Sequence, residues 1–147
     1  MVDISKVKFR LDKALDCIAT ADADVELGHL YSAANRSYYA IYNSMRAVHA
    51  FDNYESKKHS GNISEFRRRY IKTGIFDAKL SDVIEDSYEL RQKCDYEDHF
   101  AVKLPDVTKQ LENARHFYEK VKLHIDNTCI GSPCVQTAGE NVGGKHV

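Results

Sequence analysis

Residues that break helices are scarce in the first 127 positions of this chain. Of 147 residues only two are proline and seven are glycine, and four of those glycines (Gly131, Gly139, Gly143 and Gly144) lie in the last seventeen residues. No stretch of the body shows the alternating apolar and polar residues of a strand, so the body is predicted to be helical. A chain of this length fits one domain with a substantial buried core.

Apolar residues recur at steps of three and four along five segments, a spacing that places them on one side of a helix. In chain order the predicted helices end near Gly28, span about residues 29–51, run from a cap at Ser60 to about Gly74, span about residues 75–98, and follow Pro105. The last has the most regular seam: Val107, Leu111, Ala114, Tyr118, Val121 and Ile125. The predicted fold class is all-α, an up-and-down bundle of four to five helices.

The chain is predicted to consist of a helical domain, residues 1–127, and a tail, residues 128–147. The tail is rich in Gly, Ser, Thr and Asn and carries no periodic apolar residues. Such a segment cannot offset the entropy lost on ordering. We therefore expect it to be mobile, or to be ordered only by packing against the body or a partner.

Charge, hydropathy and cysteine spacing argue against several classes of protein. A net charge of -1 does not suit a protein that binds polyanions over its whole surface. No apolar run reaches the roughly 18 residues of a membrane span, and the N-terminal residues lack the apolar core of a signal peptide. We therefore expect a cytoplasmic protein with no membrane partner. The four cysteines lack the paired spacing of metal sites, so no metal or other cofactor is expected.

The second predicted helix carries a polar and aromatic face opposite its apolar one. Residues spaced by four, three, four and three share that face: Asn35, Tyr39, Tyr42, Arg46 and His49. Arg36 lies at its flank. Because neither face is purely solvating, we expect both faces to contact something. Tyr39 and Tyr42 could stack a base or close a dimer interface.

A local basic patch follows in the loop and short helix after it. Six cationic side chains are accompanied there by one acid, Glu65: Lys57, Lys58, Arg67, Arg68, Arg69 and Lys72. Phosphate is the natural counterpart of such a patch. The alternative is that the arginines only keep a short surface helix solvated. His59 could offer an imidazole beside free backbone N–H groups at a helix start, although Ser60 could equally serve only as a cap.

Arg91, Asp95 and His99 are spaced i, i+4 and i+8, which places them on one stripe of the predicted fourth helix with Tyr96 beside it. Such a row suits phosphoryl chemistry. His99 could move the proton of a ribose 2′-hydroxyl, Arg91 could neutralise charge on phosphorus, and Asp95 could orient either. One alternative is a plain helical ion pair of Arg91 with Asp95. Another is a rival pair, Arg46 and His49, on the second helix.

These segments together resemble the HEPN superfamily (higher eukaryotes and prokaryotes nucleotide-binding), and most closely its small prokaryotic stand-alone branch. The resemblance covers roughly residues 5–126. It rests on Asn35-Arg36-Ser37-Tyr38-Tyr39-Ala40, Lys58-His59-Ser60-Gly61, Phe66, and Leu90-Arg91 with Asp95-Tyr96. It implies a helical bundle that forms a homodimer and is often encoded beside a minimal nucleotidyltransferase. In several branches it implies a metal-independent RNase toxin of a toxin–antitoxin pair.

In the RNase branches of that family, an arginine is followed by a polar residue, and a histidine comes after four to six residues. Here seven residues separate Arg91 from His99, and two separate Arg46 from His49. The resemblance therefore supports binding of RNA or a nucleotide at the dimer cleft more directly than cleavage. The residues assigned to binding are Arg36, Tyr39, Arg46, His49, Lys57, Lys58, His59 and Tyr96.

Two other kinds of function remain open at this stage. One is a non-catalytic nucleotide-binding or adaptor module that uses the polar face of the second helix. The other is purely structural: Arg36, Tyr39 and Asp95 form a polar network that fixes the register of the bundle.

Overall fold

The computed structural model describes residues 2–129, and these form five α-helices without a strand. In chain order they are α1 (Ile4–Glu26), α2 (Leu30–Phe51), α3 (His59–Phe66), α4 (Lys79–Tyr96) and α5 (Leu104–Thr128), with a π-helical turn, Arg67–Ile71, continuing α3. The predicted all-α bundle is confirmed. No helix in this part of the chain has both the length and the apolar character needed to cross a membrane.

The ends of α1 follow from its local sequence. The Asp3 carboxylate accepts hydrogen bonds from the backbone N–H groups of Ser5 and Lys6, which satisfies donors that a helix start leaves open. After Leu27 the chain turns at Gly28, whose φ of 78° is a conformation that glycine adopts without strain. The predicted end near Gly28 is confirmed.

The core lies around α2, which packs against α1, α3, α4 and α5. The spacing of three and four also predicts one apolar stripe on α2, and that stripe is buried throughout: Ala34, Tyr38, Ile41, Met45 and Val48. The predicted seam of α5 is also buried at every position: Val107, Leu111, Ala114, Tyr118, Val121 and Ile125. Because neighbours cover α2 on several sides, part of its polar face is buried as well.

Two predicted features of the helix ends are wrong. Ser60 is not the cap of α3, since the helix begins one residue earlier, at His59, with Lys58 in the cap position. The fourth helix ends at Tyr96, where Glu97 becomes extended, and His99 lies beyond it with a φ of 63°. His99 is therefore not on a helical stripe with Arg91 and Asp95. The sequence between Tyr96 and Pro105 contains no proline or glycine, so this early end left no strong local signal.

After Phe66, the backbone N–H of Lys72 bonds to the carbonyl of Arg67, five residues earlier, at 2.9 Å, which is the spacing of a π-turn. Phe66 and Tyr70 pack there with Phe76 and Phe117, at ring-centroid distances of 5.2 to 5.6 Å. This aromatic group joins α3 to α5. The tail predicted for residues 128–147 lies almost wholly outside the described residues.

Candidate functional site

Three separate helices bring a histidine, an arginine and three tyrosines to one place. Tyr38, Tyr39 and Tyr42 come from α2, His59 from the first residue of α3, and Arg91 from α4. We call these five side chains the His59–Arg91 cluster. The sequence patterns placed its members in three unrelated motifs.

The imidazole of His59 is held by aromatic contacts on an exposed edge. It stacks on Tyr42 with a centroid distance of 4.1 Å and an interplanar angle of 12°, and meets the edge of Tyr39 at 6.0 Å. Its Nδ1 lies 3.4 Å from the hydroxyl of Tyr38. Burial, then the charges of Arg91 and Arg46, lowers the pKa of His59 below its usual 6.5. His59 is therefore neutral near pH 7.

Arg91 is largely enclosed by phenol rings. Its side chain is 15% exposed, and its guanidinium carbon lies 5.4 Å from the ring centroids of both Tyr38 and Tyr39. Nη2 donates a hydrogen bond to the Tyr39 hydroxyl at 3.2 Å, and Nε lies 3.0 Å from Asp95 Oδ2. The predicted pairing of Arg91 with Asp95 is confirmed. Tyr96, 70% exposed, covers the outer side at 5.8 Å.

A polar network extends from Arg91 towards α2. Asn35 Nδ2 donates to Asp95 Oδ2 at 3.4 Å, and Asn35 Oδ1 accepts from Arg36 Nε and Nη2 at 3.1 and 2.7 Å. The Arg36 guanidinium also lies 5.4 Å from the centroid of Tyr39. These contacts tie α2 to α4, as expected if a polar network fixes the register of the bundle. They also hold Arg91 in one orientation.

Asn62 positions His59, although sequence reasoning did not single it out. Its side chain is 1% exposed, and Nδ2 donates to the Tyr42 hydroxyl at 2.8 Å and to the Ser56 carbonyl at 2.9 Å. The amide thereby joins the loop before α3 to the ring on which His59 stacks. The burial of Asn62 in the structure reveals this role. The sequence does not, because asparagine side chains are usually exposed.

His49 and Arg46 lie apart from the cluster, contrary to a single polar face along α2. His49 is 1% exposed, its Nε2 lies 2.9 Å from the carbonyl oxygen of Asn62, and burial lowers its pKa. Arg46 Nη2 is 3.6 Å from Glu55 Oε1. Both line a different cavity, described below. Their predicted role in nucleotide binding stays a prediction.

The three arginines of the predicted basic patch all have acidic partners. Arg67 pairs with Glu85 at 3.2 Å, and Arg68 and Arg69 both contact Glu65 at 2.8 Å. The carboxylate of Glu65 is correspondingly acidic, with a pKa lowered to about 2 by hydrogen bonds from the two arginines. These arginines are therefore less available to phosphate than their sequence suggests.

A cleft of about 590 Å³ opens beside His59. Its lining includes Lys58, Ser64, Arg67 and Tyr88. Lys58 and its neighbour Lys57 are exposed, and neither forms an ion pair with the described residues. The cleft thus has an imidazole at its edge, a tyrosine in its wall and cationic side chains beside it. Tyr88 was not predicted, since only the packing of α4 against α2 and the π-turn brings it here.

The model of the HEPN domain family matches residues 7–124. A UPF0332 protein of Thermotoga maritima is 26% identical over 115 residues, which are 78% of this chain and 87% of that protein.

Two proteins of Methanocaldococcus jannaschii are also similar. "Putative toxin MJ0142" is 29% identical over 93 residues, 63% of each chain, and "Putative toxin MJ0605" is 38% identical over 64 residues, 44% of this chain and 48% of its own. This chain thus spans less than two thirds of either protein's length. Because the family model covers well over half of the sequence, the chain belongs to the HEPN domain family.

Proposed function

We propose that this chain is a toxin of the HEPN type that binds RNA at the His59–Arg91 cluster and cleaves it without a metal ion. The observation that carries the proposal is a neutral imidazole at an exposed edge and an oriented, largely enclosed guanidinium, both of which contact the same tyrosines. Similarity to two proteins named as putative toxins supports the biological role.

The chemistry needs a base and a positive charge next to the scissile phosphate. In the tautomer whose Nδ1–H donates to the Tyr38 hydroxyl, Nε2 of His59 carries the lone pair. It takes the proton of the ribose 2′-hydroxyl, the 2′-oxygen bonds to phosphorus, and the bond from phosphorus to the 5′-oxygen breaks. His59 then returns the proton to the leaving 5′-oxygen. The products are a 2′,3′-cyclic phosphate and a 5′-hydroxyl.

Arg91 neutralises the charge that grows on the non-bridging phosphate oxygens. Its donors act best when they are oriented before the substrate arrives, and the Tyr39 hydroxyl and Asp95 supply that orientation. A cation held between aromatic rings also keeps little water to lose. Asp95 is a positioning residue in this scheme.

Binding of the RNA strand uses groups around this centre. Tyr96, 70% exposed, offers a ring for base stacking, and Lys57 and Lys58 offer charge for the backbone. We propose further that two copies form a homodimer whose cleft holds the strand, that the protein acts in the cytoplasm, and that a minimal nucleotidyltransferase serves as its antitoxin.

A metal-free cleavage assay tests the proposal. Purified protein is incubated with RNA in excess EDTA, and the ends of the products are analysed. We expect 2′,3′-cyclic phosphates, lost in Arg91→Gln and in His59→Gln, with the helical circular dichroism spectrum retained. Persistence of cleavage in both variants would remove this site from consideration.

The sequence spacing from Arg91 indicates His99 as the proton-transfer group, whereas the structure favours His59. The variant His99→Ala discriminates between these two assignments. We expect near-normal cleavage by His99→Ala, since His99 lies beyond the end of α4 and is exposed. Loss of cleavage in His99→Ala, with activity retained in His59→Gln, would assign the proton transfer to His99 instead.

A second candidate is a non-catalytic module that binds nucleotides in the same cleft. The observation in its favour is the polar network of Arg36, Asn35 and Asp95. Asp95 pairs with Nε of Arg91, so this nitrogen is directed at the protein and not at a substrate. Calorimetric titration with ATP and other nucleotides, run alongside the cleavage assay, separates the two. Binding that Arg91→Gln abolishes, with no cleavage by the wild-type protein, would establish the module.

A further inference from the structure

A second cavity, of about 320 Å³, lies where α1 and α2 meet the loop that follows α2. Three cations, a histidine and two aromatic rings line it: Lys6, Arg10, Arg46, His49, Phe9 and Tyr54. None of these side chains belongs to the His59–Arg91 cluster. The volume is at the lower end of the range of small-molecule sites.

A carboxylate of the chain itself already contacts two of these cations. Glu55 Oε2 lies 2.7 Å from Lys6 Nζ, and Oε1 lies 3.6 Å from Arg46 Nη2. The hydrogen bond from Lys6 and its charge lower the pKa of Glu55, so the group is an anion. The side chain of Glu55 is 54% exposed, and exposed ion pairs contribute little to stability. Another oxyanion can therefore displace it.

Arg10 is the cation of this cavity that has no carboxylate of its own. Its recorded hydrogen bond runs from Nη1 to Asn43 Oδ1 at 3.4 Å, and no acid within the described residues forms an ion pair with it. Burial and then the charge of Arg46 lower the pKa of Arg10. Two guanidinium groups thus line one cavity, where the Glu55 carboxylate partly offsets the charge of both, a role that a bound anion can take over.

A buried acceptor gives a second, independent indication of a ligand. His49 lines the cavity, and its Nδ1 is buried without a hydrogen-bond partner among the described residues. Since Nε2 donates to the carbonyl of Asn62, Nδ1 is left as an unsatisfied acceptor in a residue of the cavity wall. Asp3 also lines the cavity, but its carboxylate caps α1. Once Glu55 is displaced, three cations face the space, which suits a doubly charged group.

We propose that this cavity binds the phosphate group of a small ligand, with Arg10 and Arg46 as direct partners and Glu55 as the internal anion that the ligand displaces. Free phosphate and the phosphate of a mononucleotide share this chemistry. Phe9 is 54% exposed and offers a ring on which the base of a mononucleotide can stack. Neither ligand requires the His59–Arg91 cluster.

Calorimetric titration of the full chain with inorganic phosphate and with AMP tests the proposal. Arg10→Gln and Arg46→Gln should each weaken binding by about tenfold, because each removes a charge-assisted hydrogen-bond donor. Glu55→Gln should strengthen binding by about threefold, because it removes the competing carboxylate. The Arg115–Asp22 ion pair is the control, since it also joins an arginine to a partly exposed carboxylate and does not line the cavity. Arg115→Gln and Asp22→Asn should leave the affinity unchanged.

The same titrations distinguish the two sources of phosphate and the two sites. Tighter binding of AMP than of phosphate, with the difference lost in Phe9→Ala, identifies a mononucleotide, whereas equal affinities identify free phosphate. Binding should persist in Arg91→Gln, whatever the outcome of the cleavage assay. The proposal is overturned if neither probe binds, or if folded Arg10→Gln and Arg46→Gln bind as the wild-type protein does.

Discussion

The regions around His49 and His59 use the same residue type in opposite ways. His49 is 1% exposed, and its Nε2 lies on the carbonyl oxygen of Asn62. His59 lies on an exposed edge and stacks on Tyr42, whose hydroxyl accepts from the side chain of Asn62. A single asparagine thus connects a histidine in the core with one at the surface.

Burial is the largest cause of a lowered pKa in both histidines, but the consequence differs. In the core, a neutral ring satisfies a backbone carbonyl and packs against Tyr54 and Tyr70. At the edge, a neutral ring beside Arg91 can accept a proton from a molecule in the cleft. A shifted pKa therefore indicates function only where a substrate can reach the group.

The largest expected effect is on catalysis and separates the two histidines. His59→Gln should lower the rate of RNA cleavage by a factor of about 10² to 10⁴, the range for loss of a general base. His49→Gln should stay within about threefold of the wild-type rate, since its amide can still donate to the carbonyl of Asn62. Rates per folded molecule, measured at equal helical content, provide the comparison. Equal losses in the two variants would erase the distinction.

The next largest effect is on stability, where the variant of His49 should be affected more than the variant of His59. His49→Ala should lower the free energy of unfolding by about 2 to 3 kcal/mol, because it leaves a cavity and an unsatisfied carbonyl. His59→Ala should cost less than about 1 kcal/mol, the worth of a partly exposed aromatic stack. Urea denaturation followed by circular dichroism measures both. A larger loss for His59→Ala would place His59 among the core residues.

The division of the chain into helices was predictable, and the site was predictable only in part. The seam of α5 and the stripe of α2 follow from spacing alone, since burial of one helical face repeats with the period of the helix. Arg91 and Asp95 pair as their spacing predicts because they share a helix. His59 and Arg91 belong to different helices, so only the packing of α3 and α4 against α2 brings both to the same tyrosines. Spacing along one segment favoured His99 instead.

The polar face predicted for α2 does not form one continuous surface, for a related reason. Its residues do share one side of the helix, but α2 packs against four other helices and meets different neighbours along its length. Tyr39 faces Arg91, whereas His49, further along the helix, faces Asn62. A repeat within one helix does not reveal which neighbours will cover each turn. For the same reason, Glu85 could not be assigned from the sequence as the partner of Arg67, whereas Glu65 lies three and four residues before Arg68 and Arg69 and is within reach by spacing alone.

A smaller effect is the dependence of stability on pH. His49, His59 and His124 all have a pKa below 6.5 in the folded protein, so the unfolded chain binds more protons as the pH falls through about 6.5. The melting temperature should therefore fall between about pH 7.5 and pH 5.5. The fall should be shallower in His49→Gln than in the wild-type protein. A melting temperature that rises on acidification would contradict these shifts.

The smallest expected effect concerns the orientation of Arg91. Asp95→Asn removes the ion pair to Arg91 Nε, while the Tyr39 hydroxyl still holds Nη2. The cleavage rate should fall by about threefold to tenfold, and stability should change by only a few tenths of a kcal/mol, the value of a helical ion pair. The mutant rate measured at several pH values is the check. A complete loss of activity would give Asp95 a direct part in the chemistry.

The most direct test of the account is the pKa of His59, measured by NMR titration of its ring protons with and without a bound 2′-deoxy dinucleotide, which cannot be cleaved through a 2′-hydroxyl. We expect a pKa below 6.5 in the free protein, since burial and Arg91 both disfavour the charged ring. We expect this pKa to rise when the phosphodiester binds, because a nearby anion stabilises the imidazolium. A His59 pKa that starts at or above 6.5 and does not respond to the dinucleotide would contradict a phosphate site at this histidine.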